Sequence, residues 1–143
     1  MTLVLDASVT MTWLLGDAKP SEHAYSSAVL ATMARPDSSA SVPVTWGLEV
    51  SNVVARSEAR GLTTEAQGEA FLEMLAGLAI EPDAATFDHA LSSTLQLARR
   101  YGLSAYDASY LELALRAGLP LATLDRDLTN AASKAGVRLF EAT

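Results

Sequence analysis

Short, largely apolar segments that alternate with helical ones constrain this fold more than any other feature of the sequence. We predict five strands, at residues 3–5, 41–44, 78–81, 121–124 and 137–140. Strands that are apolar throughout and separated by helices are typical of a parallel sheet covered on both faces. The sequence therefore predicts a three-layer α/β/α sandwich around a central, mainly parallel sheet.

Helical segments fill the intervals between these strands. Gly61, Gly102 and Gly118 each follow a helical pattern, while Thr63 or Thr64 and Ser104 stand where helices begin and can cap them. The predicted helices cover residues 8–15, 22–34, 46–60, 64–76, 84–101, 104–117 and 127–135.

Length and composition indicate one compact domain. The chain has 143 residues, half of them apolar, which is enough for a core without covalent cross-links. With no cysteine, disulfides, thiolate metal sites and cysteine nucleophiles are excluded. Neither a signal peptide nor a membrane span is recognisable in the sequence. We expect a single domain over residues 1–143, soluble and cytoplasmic.

The charge balance argues against nucleic acid as a partner when it is taken alone. Seventeen acidic and ten basic residues give a formal net charge of −7. A strongly acidic domain repels phosphates unless its charge is unevenly distributed or a bound cation reverses the local field.

Four carboxylates are predicted to meet at the carboxyl edge of the sheet. Asp6 directly follows the first strand and Asp125 follows the strand at 121–124. Glu49 lies in the first turn of the helix after the second strand. Asp107 begins a helix that runs antiparallel to the strand it feeds, so its start lies at the same edge. Ligands of parallel α/β sheets collect at this edge.

Each carboxylate also has an ordinary structural explanation. Asp6 and Asp125 can cap the helices that follow them. Asp107 stands three residues after Ser104, the spacing of a capping box. Glu49 alone would be an exposed helix charge. Against this, Asp107 and Glu49 both lie on or beside the apolar stripes of their helices.

Clustered carboxylates repel one another, so they take up protons or bind a divalent cation. Oxygen ligands without cysteine or a nearby histidine select Mg²⁺ or Mn²⁺ before Zn²⁺. Such ions recruit phosphate groups and activate water. A bound cation would therefore reconcile an acidic chain with a phosphodiester substrate.

Four ordered motifs resemble those of a known family. The motifs are LVLDAS at 3–8, GLEVSNVVAR at 47–56, LSAYDASYLELA at 103–114 and LATLDRDL at 121–128. Together they resemble those of the PIN-domain ribonucleases. In chain length and motif sequence, the protein also resembles the VapC-type toxins of bacterial toxin–antitoxin pairs. The resemblance covers essentially the whole chain. It implies a Mg²⁺- or Mn²⁺-dependent endoribonuclease.

The resemblance also implies roles for individual residues. The positions that match the family's catalytic acids are Asp6, Glu49, Asp107 and Asp125. Of these, Asp6, Asp107 and Asp125 correspond to metal ligands. Asp127 matches an auxiliary acid, and Ser8 a hydroxyl that supports the first aspartate. The family further implies an RNA substrate, a homodimer and a VapB-type antitoxin whose basic side chain can occupy the acidic pocket.

Other polar and aromatic residues allow two interpretations each. Arg56 and Arg60 continue the Glu49 face and could guide RNA, or they are ordinary surface charges. Asn52 could orient a ligand or a metal-bound water, or be a plain surface residue. Further basic candidates are Arg99, Arg100, Arg116 and Arg126. The aromatic residues interpreted as core or dimer-interface residues are Trp13, Trp46, Tyr106 and Tyr110.

Competing functions remain open. One is a catalytically silent PIN-like module that binds partners. Another is a phosphoryl-transfer α/β domain, although Lys19 and Lys134 lie in unsuitable stretches for a receiver and Ser8 replaces the second acid of an aspartyl-phosphate hydrolase. A serine hydrolase is disfavoured because His23 and His89 lie outside any nucleophile motif.

Overall fold

The computed structural model describes residues 2–142, and within them a parallel sheet of four strands forms the centre. The strand order is β3-β2-β1-β4. The strands are β1 Thr2–Leu5, β2 Ser39–Val42, β3 Ile80–Pro82 and β4 Leu121–Ala122. Residues 1 and 143, the ends of the predicted domain, lie outside the described part.

Helices cover both faces of this sheet. They are α1 Ala7–Thr12, α2 Pro20–Met33, α3 Trp46–Ala59, α4 Glu65–Ala76, α5 Thr86–His89, α6 Leu95–Tyr101, α7 Ala105–Ala117 and α8 Arg126–Ala135. The predicted caps are confirmed: Thr64 Oγ1 accepts a hydrogen bond from Gln67 N at 3.1 Å, and Ser104 Oγ accepts one from Asp107 N at 3.1 Å.

The core consists of apolar layers on either side of β1. Val4 packs in a cluster with Tyr110 and Leu128, whereas Leu3 and Leu5 pack in another cluster. Successive side chains of a strand point to opposite faces of a sheet, so β1 contributes to both layers. The predicted three-layer sandwich is confirmed.

Two predicted elements differ from those observed. The single helix expected over 84–101 is broken by a π-helical segment, Ala90–Thr94, that separates α5 from α6. This segment contains Ser92, Ser93 and Thr94, whose hydroxyls compete with the backbone ladder. The expected strand at 137–140 is reduced to a single parallel bridge between Leu121 and Leu139.

The observed boundaries of the strands also differ from the predicted ones. The second strand was expected at 41–44 and runs over Ser39–Val42 instead. Pro43 follows directly and has no N–H to donate to a neighbouring strand, so the ladder ends before it. The carboxyl end of β2 therefore still feeds α3, and Glu49 keeps its predicted place in the first turn of that helix.

In the part of the chain that the structure describes, we find no helix with both the length and the apolar character needed to cross a membrane.

A candidate acidic site at the carboxyl edge of the sheet

The carboxylate of Asp6 is buried at the end of β1, with 3% of the residue exposed. Asp6 stands at the start of α1, yet its side chain does not cap that helix. Instead Asp6 Oδ2 accepts hydrogen bonds from Ser8 Oγ at 2.6 Å and from Thr123 Oγ1 at 2.8 Å. Two hydroxyls thus fix the orientation of a carboxylate that contacts almost no solvent.

Thr123 links the first acidic residue to the last. The same Thr123 Oγ1 that donates to Asp6 accepts a hydrogen bond from Asp125 N at 3.0 Å. Ser8 Oγ makes a parallel connection, because it accepts one from Leu124 N at 2.9 Å. We did not identify Thr123 from the sequence. The available signal was a hydroxyl residue inside an otherwise apolar run, two positions before an aspartate.

Asp125 performs the capping role that its position suggested. Asp125 Oδ2 accepts a hydrogen bond from Leu128 N at 2.8 Å at the start of α8. A carboxylate has two oxygens and about four acceptor positions, so this cap leaves capacity for a further ligand. Capping and ligation are therefore compatible at this residue.

Glu49 and Asp107 approach from helices α3 and α7, and both are half-buried. Tyr110, fully buried one turn after Asp107, donates a hydrogen bond from its hydroxyl to Glu49 Oε1 at 3.1 Å. The sequence placed Tyr110 in the core or at an interface and missed this contact with Glu49. The phenol orients Glu49 from the helix that carries Asp107.

The four carboxylates interact electrostatically. Burial, together with the charges of Asp125 and Asp6, raises the pKa of Asp107 to about 6. Burial likewise raises the pKa of Glu49, with added contributions from Asp6 and Asp107. Burial raises the pKa of Asp6 above its ordinary value, opposed by the hydrogen bonds from its two hydroxyl partners and reinforced by the charge of Asp125. The structure therefore brings all four predicted acids together.

The remaining predicted residues are exposed on α3 and α8 or directly next to them. Asp127 is exposed in the first turn of α8, and its charge contributes to the raised pKa of Asp107. Asn52, Arg56 and Arg60 are exposed along α3, progressively further from Glu49. Arg126 is exposed as well.

A second cluster of carboxylates, at the other end of α7, surrounds an arginine. Arg116 Nε donates to Glu112 Oε2 at 2.9 Å, and Nη1 donates to Asp83 Oδ1 at 3.3 Å. The hydrogen bond from this guanidinium is the main cause that lowers the pKa of Asp83 below its ordinary value. Arg116, one of the basic candidates for RNA contact, is therefore engaged within the protein.

The ligand atoms that the acidic site offers are of the type that binds a hard divalent cation. All four side chains offer carboxylate oxygens, the ligands that Mg²⁺ and Mn²⁺ prefer. Over residues 2–142, however, no group of three or more Asp, Glu or His side chains is placed so that it could hold a metal ion. This spacing is compatible with Mg²⁺, which is usually bound by one or two carboxylates together with waters and substrate phosphates.

A family model described as the PIN domain matches residues 3–134. The chain belongs to the PIN domain family. PIN domains are typically nucleases, and PIN nucleases generally use divalent metal ions. No curated protein matches the chain significantly.

Two solved structures share the PIN fold of this chain. PAE2754 from Pyrobaculum aerophilum is 23% identical, with a TM-score of 0.60 over 92% of this chain and 87% of that one. FitAcB from Neisseria gonorrhoeae is 21% identical, with a TM-score of 0.60 over 99% of this chain and 98% of that one. At these identities the likeness shows the fold alone.

Proposed function

We propose that this PIN-domain protein is a metal-dependent endoribonuclease that cleaves RNA phosphodiesters and is the toxin of a toxin–antitoxin pair. The observation that supports this most is the convergence of Asp6, Glu49, Asp107 and Asp125 at one edge of the sheet, with three of them shifted toward the protonated form. Buried carboxylates that raise one another's pKa are typical of functional sites. The similarity of the four motif sequences to those of VapC-type toxins supports the narrower assignment to a toxin.

In this proposal Asp6, Asp107 and Asp125 would hold Mg²⁺ or Mn²⁺, in part through metal-bound waters. When bound, such an ion neutralises charge on the phosphodiester and favours attack by water. The hydroxyls of Ser8 and Thr123 keep Asp6 oriented. Their hydrogen bonds both engage Oδ2 of that carboxylate.

Glu49 orients the attacking water in this proposal. Tyr110 engages Glu49 Oε1, which leaves Oε2 to accept a hydrogen bond from the water. A general base works best when its pKa lies close to the operating pH, so the raised pKa of Glu49 favours this role. Asp127 adds negative charge close to Asp107.

The partners follow from the same proposal. RNA would approach along α3, where Arg56 and Arg60 offer positive charge in a chain whose formal net charge is −7. A VapB-type antitoxin would place a basic side chain among the four carboxylates and thereby block metal and substrate together. The functional unit would be a homodimer.

The deciding experiment compares isosteric variants of the two acids joined by Thr123. Asp6→Asn and Asp125→Asn should remain folded and lose Mn²⁺-dependent RNA cleavage. Asn removes the charge but keeps an oxygen acceptor, for the hydroxyls of Ser8 and Thr123 at position 6 and for Leu128 N at position 125. Glu69→Gln, an exposed acid on α4, is the matched control and should cleave RNA like the unchanged protein. Undiminished cleavage by either aspartate variant would refute the proposal.

A partner-binding module without catalytic activity is the second candidate, because no three described side chains in residues 2–142 are placed to hold a metal ion. The two functions differ in metal binding. A nuclease should bind Mn²⁺ in titration calorimetry and lose that heat in Asp6→Asn. Neither Mn²⁺ binding nor RNA cleavage by the purified protein would favour the module.

A further inference from the structure

Helix α8 has one buried side and one exposed, polar side. On the buried side, Leu128, Ala131 and Ala132 pack into the core. The exposed side carries Arg126, Asn130, Ser133 and Lys134. Residues three or four positions apart in a helix are neighbours on its surface, so these four side chains form a continuous line along α8.

Arg138, which is also exposed, extends this line beyond the end of α8. Val137 N donates a hydrogen bond to Ala132 O at 2.9 Å, and Leu121 N donates one to Arg138 O at 2.9 Å. Leu121 is the first residue of β4, so Arg138 is held at the edge of the sheet opposite to Asp125. A helix of 10 residues is about 15 Å long, and the line spans this length. We call its members the basic strip: Arg126, Asn130, Ser133, Lys134 and Arg138.

The three cations of the basic strip have no acidic partner. Within residues 2–142, none of Arg126, Lys134 and Arg138 forms an ion pair, in contrast to Arg116. Residues 126–138 contain these three basic residues and a single acidic one, in a chain whose formal net charge is −7. The charge of the chain is therefore unevenly distributed, which is a condition under which an acidic protein can bind phosphates.

We propose that the basic strip holds a single-stranded segment of the substrate RNA by its phosphates, on the Asp125 side of the acidic site. Arg and Lys pair with phosphate oxygens, and the side chains of Asn and Ser donate hydrogen bonds to them. One line of cations follows one phosphate chain. Helix α8 contains no aromatic residue, so it offers no surface on which bases could stack. Because phosphate contacts carry no sequence information, the strip adds affinity equally for every RNA sequence.

The basic strip and α3 lie on two sides of the acidic site. Helix α3 reaches the site with Glu49, and α8 begins directly after Asp125. An RNA chain that passes from one helix to the other has its phosphodiester at the four acids. Residues 46–76 contain five glutamates beside Arg56 and Arg60, so phosphates are repelled more strongly there than along α8. The basic strip therefore supplies the larger share of the affinity.

An acidic protein segment is the other class of partner that three free cations could bind. The position of the strip favours RNA, because Arg126 directly follows Asp125 and its other neighbour, Asp127, contributes to the raised pKa of Asp107. The strip thus begins where a scissile phosphodiester has to lie. The proposal rests on the proposed function for the identity of this polyanion.

The test is the salt dependence of RNA binding, measured by fluorescence anisotropy with a labelled oligouridylate. All proteins carry Asp6→Asn, so that RNA is bound and not cleaved. In the triple variant Arg126→Gln/Lys134→Gln/Arg138→Gln, the slope of log Kd against log salt concentration should fall by about 2, since each phosphate contact of a single strand contributes about 0.7. The Kd at about 0.1 M salt should increase about tenfold or more.

The matched control removes three exposed positive charges that lie outside α8. Lys19→Gln/Arg99→Gln/Arg100→Gln has the same net charge as the first triple variant and should keep the slope of the parent protein. The triple variant of the strip should weaken binding of oligoadenylate by the same factor as binding of oligouridylate. Each single variant of the strip should lower the slope by about 0.7, which keeps the test decisive if the triple variant does not fold.

Several outcomes would overturn the proposal: no RNA binding by the parent protein, an unchanged slope in the folded variants of the strip, an equal loss in the control, or a loss confined to one RNA sequence. Unchanged RNA binding with a loss of poly-glutamate binding would assign the strip to an acidic protein segment instead. Failure of the nuclease proposal is distinguishable. A chain with Asp6 that binds RNA along the strip without cleaving it contradicts the nuclease proposal alone, and cleavage with an unchanged slope contradicts this one alone.

Discussion

The two ends of α7 hold carboxylates in opposite ways. At its start, Asp107 lies among other acids, and its pKa is raised to about 6. At its end, Glu112 is almost as buried as Asp6, with 5% and 3% of each residue exposed, but Glu112 pairs with Arg116. One cluster contains its own cation and the other does not. Buried acids without an internal cation destabilise a fold, which is why such groups indicate a site for an external one.

The largest effect on stability should come from removing Arg116, the cation that pairs with Glu112 and Asp83. Arg116→Met keeps the apolar stem but leaves Glu112 buried without its cation. Because the Arg116 side chain is 28% exposed, we expect the free energy of unfolding to fall by about 2–3 kcal/mol in urea denaturation, less than for a fully buried pair. RNA cleavage by the folded fraction should not change.

Arg99→Met is the control for this change. Arg99 is exposed on α6, and its loss should alter the free energy of unfolding by less than about 0.5 kcal/mol. If Arg116→Met unfolds at the same urea concentration as Arg99→Met, the guanidinium does not stabilise the end of α7 and the contrast between the two clusters is wrong.

The second largest effect is expected from the hydroxyl of Thr123, which links Asp6 to Asp125 in the cluster without an internal cation. Thr123→Val keeps the shape of the side chain but leaves Asp125 N without its acceptor and removes one of the two hydroxyl donors to the buried Asp6 carboxylate. We expect a loss of about 1–2 kcal/mol in the free energy of unfolding. Cleavage should fall by about tenfold, because the Asp6 carboxylate loses one of the two hydrogen bonds that fix its orientation.

Thr123→Ser restores the hydroxyl and should recover most of the cleavage rate. Equal loss of activity in Thr123→Ser and Thr123→Val would assign the effect to the methyl group, and thus to packing, instead of to the hydrogen bonds.

A smaller effect, on the order of 1 kcal/mol after solvent screening, is expected in the pH dependence of stability. Without metal, folded Asp107 holds its proton up to about pH 6, whereas the unfolded chain releases it near 3.8. The folded state binds more protons in this window, so its stability should decrease as pH rises from about 4 to about 6. Asp83, whose pKa is lowered, behaves oppositely: its contribution is present above 3.8 and is lost in more acidic solution.

Thermal unfolding in a chelating buffer measures this difference. Subtracting the profile of Asp107→Asn from that of the unchanged protein should isolate a contribution that declines between about pH 4 and pH 6. A difference that is flat or increases over this range would contradict the assignment of a raised pKa to Asp107.

Sequence patterns among neighbouring residues were sufficient to predict much of the fold. The apolar run of β1 and the capping residues Thr64 and Ser104 act through neighbours a few positions away, and all are observed as predicted. The convergence of the four acids was also predictable, since the carboxyl ends of parallel strands meet at one edge whatever the detail of the packing.

Contacts between distant residues were not predictable in this way. Thr123 and Asp6 are separated by 117 positions, and Arg116 and Asp83 by 33. Nothing in the neighbourhood of either residue specifies the partner. The break in the helix expected over 84–101 has a local cause, a run of three hydroxyl residues, but helical propensity alone does not distinguish a weakened helix from a broken one.

The hydroxyl of Thr123 makes formation of the acidic site depend on correct assembly of the sheet. Strand β4 has only two residues, and Leu5 pairs with Ala122 directly before Asp6 and Thr123 leave the sheet. A slip of one residue between β1 and β4 would turn Thr123 to the opposite face and separate Asp6 from Asp125. A misassembled chain would then lack the acidic site altogether.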